Sequence, residues 1–228
     1  MIRWLILLSF LSLFLSANAS AKTLKVMVID TGIDLQDPIS TKYTPKKYLT
    51  PDQQDVNSHG TQVTSIIASR ACADVIIIPC KYYEKPLNSM NLENEVKCIE
   101  KAIDEDVDLI NYSSGGPDTS QREIKALKIF LSKPGRQFIS AAGNNGCNLD
   151  SCSYYPACYR LPGMVAVASL DQYGNRNSSS NYSSWVKWEV GSQVPTTSLG
   201  GHMTYFSGTS AATALYTGKL VQKWCRSK

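Results

Sequence analysis

At 228 residues, with 43% hydrophobic and 18% charged side chains, the chain has the composition of an ordinary globular protein and is long enough for one sizeable core. Its 23 basic and 19 acidic side chains give a formal charge of +4 with no block of like charges, which argues against a nucleic-acid-binding arm. No phosphate loop or cofactor motif is present, so neither a cofactor nor nucleic acid is expected as a partner.

At the start of the chain, Arg3 precedes an apolar run from Trp4 to Leu15, followed by the small residues Ala17, Asn18 and Ala19. That layout predicts a secretory signal peptide over residues 1–19 and one exported domain over 20–228, periplasmic or extracellular. The competing reading is an uncleaved anchor. The run falls short of the roughly 18 apolar residues of a membrane helix, and no second such run follows, so no stable span is expected after cleavage. All seven cysteines lie beyond residue 19, where an oxidising compartment lets disulfides persist. Three bridges and one leftover thiol are expected, with the pairing unassigned and an intermolecular bridge as the alternative. The close pair Cys147 and Cys152 lacks the second Cys or His pair that a zinc site needs.

Leu24 to Ile29 is a short apolar, β-branched run that stops at Asp30-Thr31-Gly32, and it reads as a buried strand. Residues 36–58 read as loop, and a short helix is predicted to begin near His59, where Val63, Ile66 and Ile67 recur at helical spacing. Val75 to Ile78 is a second strand. Asn91 to Asp106 carries Leu92, Val96, Ile99 and Ile103 at spacings of three and four, with acids and lysines assigned to the outer face. Val107 to Tyr112 is a third strand, Ser120 opens a helix lined by Ile124, Leu127 and Leu131, and Phe138 to Ala142 and Met164 to Leu170 are further strands. Gly174 to Ser184 is polar loop, and Thr209 to Trp224 is a closing helix. Alternation of strand and helix predicts a single α/β domain, a mainly parallel twisted sheet with helices on both faces. Ligand sites in such sheets form beyond the carboxyl ends of the strands. The turn-rich motifs at Asp30, Ser113 to Gly116 and Gly143 to Gly146 all sit there.

Taken singly, the chemistry-bearing residues have plain readings. His59 and His202 are the only histidines. Asp30, at the end of an apolar strand, reads as a turn or capping aspartate, and Ser210, before a helix-forming run, as an N-cap. Together they supply what acyl transfer requires: a nucleophile, a base, a group that orients the base, and donors at a helix start for an oxyanion.

The strings VIDTGID (28–34), NSHGTQV (57–63), INYSSGGP (110–117), SAAGNNG (140–146) and FSGTSAA (206–212) resemble, in order, sequence blocks of the subtilisin-like serine proteases. The order Asp, His, Ser agrees, and the similarity extends to YPACYRLPGMVAVASLD (155–171), nearly the whole chain beyond residue 19. The resemblance implies a serine endopeptidase with Ser210 as nucleophile, His59 as general base and acid, Asp30 as orienting carboxylate and Asn144 as oxyanion donor. It implies that Ser113, Ser114, Gly115 and Gly116 pair with an extended polypeptide substrate, and that Ala142, Gly143 and Tyr154 also bind it. A monomer is expected.

Several positions depart from the family pattern. Gln62 stands where relatives carry a second histidine, and Ala211, Ala212, Thr213 and Ala214 replace a Met-Ala-x-Pro run. The chain passes from Ser69 to Val75 without the loop that many relatives use for calcium, and Ile39 replaces an acidic ligand, so no calcium is expected at that position. Tyr154 falls where relatives with deep pockets carry glycine, which implies a preference for small side chains before the scissile bond. Asp30 follows Ala19 too closely to leave room for a prosegment between them. The missing prosegment and the altered serine block keep a second reading open, a catalytically weak or inactive relative that binds peptides, and the same triad would also serve a third, hydrolysis of small esters.

Overall fold

The computed structural model describes residues 22–83 and 89–228, so the expected signal peptide lies outside the described residues. Among the described residues, six strands form one parallel sheet. In chain order they are β1 (Leu24–Asp30), β2 (Val75–Lys81), β3 (Leu109–Tyr112), β4 (Gln137–Ala141), β5 (Met164–Leu170) and β6 (Lys187–Val190). The central strands are apolar because both faces are covered: every residue of β3 is buried. Four helices cover them: α1 (His59–Ala68), α2 (Ser89–Asp104), α3 (Gln121–Leu131) and α4 (Thr209–Arg226). One core packs Val26 and Val28 of β1 against α1 and α4, and the other packs Met27 and Ile29 against α2 and α3. The predicted three-layer α/β fold is therefore present.

Strand order is β2-β1-β3-β4-β5-β6, and the direction of winding reverses between β1 and β3. A crevice opens at the carboxyl ends of strands where the order reverses, the place where α/β sheets hold ligands. Asp30 ends β1 and Ser113 follows β3, so both stand at that switch point.

The structure departs from the sequence reading in three places. First, β6 and an antiparallel pair, β7 (Val194–Thr197) and β8 (Met203–Phe206), were not anticipated. β6 and β8 expose much of their surface, and Pro195 breaks the strand signal in β7. Second, the inner face of α2 is rotated from the predicted stripe. Glu95 is 3% exposed and lies inside with Val96, Cys98, Ile99 and Ala102, instead of outside with the other acids. Third, α3 buries Glu123, Ala126, Leu127 and Phe130, while Ile124 and Leu131 are only half-buried.

Three disulfides join Cys72 to Cys225, Cys80 to Cys98 and Cys147 to Cys152, leaving Cys158 free. The first ties the loop after α1 to the last turn of α4 across 153 residues of chain. Among the described residues no helix is long and apolar enough to cross a membrane.

Candidate active site

The loop after β1 and the start of α1 meet through backbone alone. A β-carbon at Gly60 would lie 2.2 Å from the carbonyl oxygen of Gly32, and Gly32 has a φ of +111°, so glycine is required on both sides. This close approach sets His59 against the end of β1. Its Nδ1 lies 2.7 Å from Oδ1 of Asp30, which also accepts the Thr31 N–H at 2.8 Å. Asp30 is 2% exposed. The Phe206 ring meets the imidazole edge-on at 5.2 Å, so β8 supplies one wall of the histidine's pocket.

Burial works against a charged imidazole, but the charge of Asp30 and its hydrogen bond outweigh this, so the pKa of His59 stands above its ordinary value. With the Nδ1 proton held by Asp30, Nε2 is the ring nitrogen left to act as a base.

Asp55, which the sequence reading passed over as loop, positions this pair. Buried to 1% exposure, its Oδ1 accepts the N–H groups of Asn57 and Ser58 and the Thr31 hydroxyl, and its Oδ2 accepts both the N–H and the hydroxyl of Thr61. A carboxylate just before a helix start was the available signal. It caps α1, whose N-cap Ser58 makes no side-chain capping bond.

Ser210 stands in the first turn of α4. The cap residue is Gly208, without a side-chain capping bond, so Ser210 is not an N-cap. Its Oγ donates to the Ser113 carbonyl at 2.9 Å, and the Ser113 hydroxyl donates back to the Ser210 carbonyl at 3.2 Å. Asn111 Nδ2 donates to Ser113 Oγ, and the Thr217 hydroxyl donates to Asn111 Oδ1, so a buried polar chain fixes α4 to the end of β3. Asn111 and Thr217 were unrecognised in the sequence because their partners are distant in the chain. No hydrogen bond joins Ser210 Oγ to His59 among the described residues; the fold brings Asp30 and His59 into contact and holds Ser210 on Ser113.

Asn144 accepts the Thr209 N–H and hydroxyl at Oδ1, both at 3.0 Å, which orients its amide and leaves Nδ2 as a donor. The Ser210 N–H lies within the first turn of α4, where backbone donors have no intrahelical acceptor. Two donors are thus available beside Ser210, at the positive end of the helix.

The expected substrate segments divide. Gly116 is already paired, exchanging N–H and carbonyl with Tyr155 at 2.9 and 2.7 Å. Ser113 is engaged by Ser210, whereas Ser114 and Gly115 bond their backbone groups to no described residue. The Ala142 and Gly143 carbonyls accept from the side chain and backbone of Asn181, which is fully buried. The Tyr154 ring lies between the two segments: β-carbons placed on Gly115 and Gly143 would stand 2.5 and 2.9 Å from it. His202 is exposed in the β7–β8 connection. Among the described residues no group of three or more His, Cys, Asp or Glu side chains is placed to hold a metal ion.

Sequence and fold both have counterparts among known proteins. The chain is 29% identical over 208 residues to a thermophilic serine proteinase of Bacillus sp. (strain AK1), covering 85% of this chain and 50% of that protein. It is 32% identical over 220 residues to subtilisin amylosacchariticus of Bacillus subtilis subsp. amylosacchariticus, covering 89% and 56%. The chain thus spans about half the length of these relatives. A cold adapted subtilisin-like serine proteinase of known structure superposes with a TM-score of 0.72 over 89% of this chain and 76% of that one, at 24% identity, a likeness of fold. Asp30, His59 and Ser210 all fall within residues 21–224, which match the profile of the subtilase family, and the chain belongs to that family.

Proposed function

We propose that the chain is an exported serine endopeptidase in which Ser210 is the nucleophile, His59 the general base and acid, Asp30 the orienting carboxylate, and Asn144 with the Ser210 N–H the oxyanion donors. The observation that carries this reading is the 2.7 Å pairing of Asp30 with His59 at the end of β1, with Ser210 held on Ser113 at the end of the neighbouring strand β3. Its peptidase domain is residues 20–228, acting as a monomer after removal of a signal peptide over 1–19. Three disulfides in a chain of this size fit an oxidising compartment.

In this mechanism Ser210 Oγ leaves the Ser113 carbonyl, passes its proton to His59 Nε2 and bonds to the substrate carbonyl carbon. The carbonyl oxygen becomes an oxyanion between Asn144 Nδ2 and the Ser210 N–H. His59 then gives the proton to the departing amine, and an acyl-enzyme remains. Water, deprotonated by His59, adds to the acyl carbon; the C–O bond to Ser210 then breaks as His59 returns that proton to Ser210 Oγ, and the acid is released. Hydrogen bonds to a nucleophile commonly tighten only with substrate bound, so the resting Ser210–Ser113 bond is compatible with this cycle. An extended peptide lies along Ser114 and Gly115, whose free backbone groups suit strand addition. Tyr154 fills the space between Gly115 and Gly143 and favours small residues before the scissile bond.

The Ser210–Ser113 bond also suits a second reading, a peptide-binding relative that does not turn over. A serine-directed fluorophosphonate, read by intact mass on the oxidised protein lacking residues 1–19, separates the two. One adduct, lost in Ser210→Ala and suppressed in His59→Ala, supports the enzyme. No adduct on a folded protein refutes it.

A further inference from the structure

Beside the Ser114–Gly116 segment the surface opens into a cavity of about 680 Å3. Its walls include Tyr82, Tyr83, Tyr112 and Tyr155, the exposed acid Asp118, and two further acids, Glu95 and Glu123. These last two are almost fully buried, at 3% and 1% exposure. Glu95 Oε2 accepts from Tyr112 at 2.7 Å, Glu123 Oε2 accepts from Tyr159, the Glu95 and Glu123 carboxyls are hydrogen-bonding neighbours, and no other group of the described residues meets Glu95 Oε1. No lysine or arginine of the described residues forms an ion pair with either. Arg122, the neighbour of Glu123, turns away to Glu93 and Glu100 on the surface.

A buried carboxylate without a cation is costly, and two together are more so. Burial and the neighbouring carboxyl push Glu95 well above the usual carboxylate range, and burial also raises Glu123, whereas a cation placed beside the pair would favour their charged forms. The rest of the wall matches an organic cation. Tyr82 packs edge-on against both Tyr83 and Tyr112, giving a clustered aromatic surface beside the acids. A calcium ion needs six to eight oxygens converging on one point, and among the described residues no three acids are placed together to hold a metal ion.

We propose that this cavity is a specificity site for a lysine or arginine side chain of the substrate, read by Glu95 and Glu123. Ser114 is joined to Tyr82 by a 2.7 Å hydrogen bond, so the strip of backbone free to pair with a peptide is also the rim of the cavity. From Ser113, which touches the nucleophile, to Gly116 is three steps of chain. At ~3.3 Å per extended residue, the recognised side chain sits about three residues from the scissile bond. The proposal rests on the peptidase reading for that register, but binding tests it without turnover.

The test uses the Ser210→Ala protein and fluorescent extended peptide pools, each with arginine or its uncharged isostere citrulline fixed at one position, read by anisotropy. At one position arginine should bind about ten- to a hundredfold more tightly than citrulline, as expected for charge-assisted hydrogen bonds in a buried site. That preference should disappear in Glu95→Gln and Glu123→Gln versions of the same protein, each checked for an unchanged melting transition. The arginine–citrulline comparison on the unaltered cavity stands even where a Gln variant does not fold. Equal affinity at every position, no binding by any arginine pool, or a preference that survives both Gln changes would overturn the proposal. Fluorophosphonate labelling of the Ser210 protein is run in parallel. Labelling without arginine preference refutes this site alone, and preference without labelling refutes the peptidase reading alone.

Discussion

Replacing Tyr154 by glycine should convert a preference for small residues before the scissile bond into one that accepts phenylalanine. The Tyr154 ring occupies the slot between Gly115 and Gly143, so closely that a β-carbon on either glycine would stand within 3 Å of it. A phenylalanine side chain entering the vacated slot would bury ~200 Å2, an upper limit of about 5 kcal/mol at ~25 cal/mol per Å2. If half survives the cost of ordering and imperfect fit, about 2.5 kcal/mol remains, roughly a 70-fold gain in kcat/KM. The assay compares two quenched peptides differing only in Ala or Phe at that residue, cleaved by the unaltered protein and by Tyr154→Gly. The Phe/Ala ratio of kcat/KM should rise by that order. The variant will also melt earlier, because a half-buried aromatic side chain is lost from packing against Ala142 and Ala157, so assays belong well below its transition. An unaltered protein that already favours Phe, or a folded Tyr154→Gly with an unchanged ratio, would refute the assignment of this slot.

Asp30→Asn should lower kcat about 10,000-fold, because the amide no longer fixes the imidazole tautomer. The acid limb of the pH–kcat profile should move to lower pH with it, since Asp30 is what holds the His59 pKa above its ordinary value and the base works only when neutral; a limb that stays put would contradict this. Asn144→Ala should cost about 100- to 1000-fold in kcat with little change in KM, and a variant that changes KM alone would show that Nδ2 does not meet the oxyanion. Breaking Cys72–Cys225 by a double serine change should destabilise by about 5 kcal/mol in the chain-entropy description, against about 3 for Cys80–Cys98, because the loops closed span 153 and 18 residues. Urea midpoints measure both, and the reverse order would show that native contacts, not loop length, set the difference.

How far the sequence could be read follows from what each element faces. Strands β1 and β5 were legible almost to the residue because a parallel strand covered on both sides must be apolar throughout, and such runs stand out. β6 and β8 were not, because exposed residues interrupt their pattern. At the site, Asp30 and His59 were anticipated from motif order, but the buried polar residues that hold the surrounding segments in place were hidden. Asp55, Asn111 and Asn181 are polar side chains buried on partners elsewhere in the fold; local patterning counts Asp55 and Asn181 as loop and sees Asn111 only as a polar break in a strand. Glu95 and Glu123 belong to the same class with one difference. Asp55, Asn111 and Asn181 bond to N–H, hydroxyl or carbonyl partners elsewhere in the chain, whereas Glu95 Oε1 meets only the second acid, Glu123. Natural sequences break local rules chiefly where function requires it. The acids of α2 and α3 that turn inward, toward a cavity beside the free backbone of Ser114 and Gly115, are therefore where this chain's own specificity is best sought.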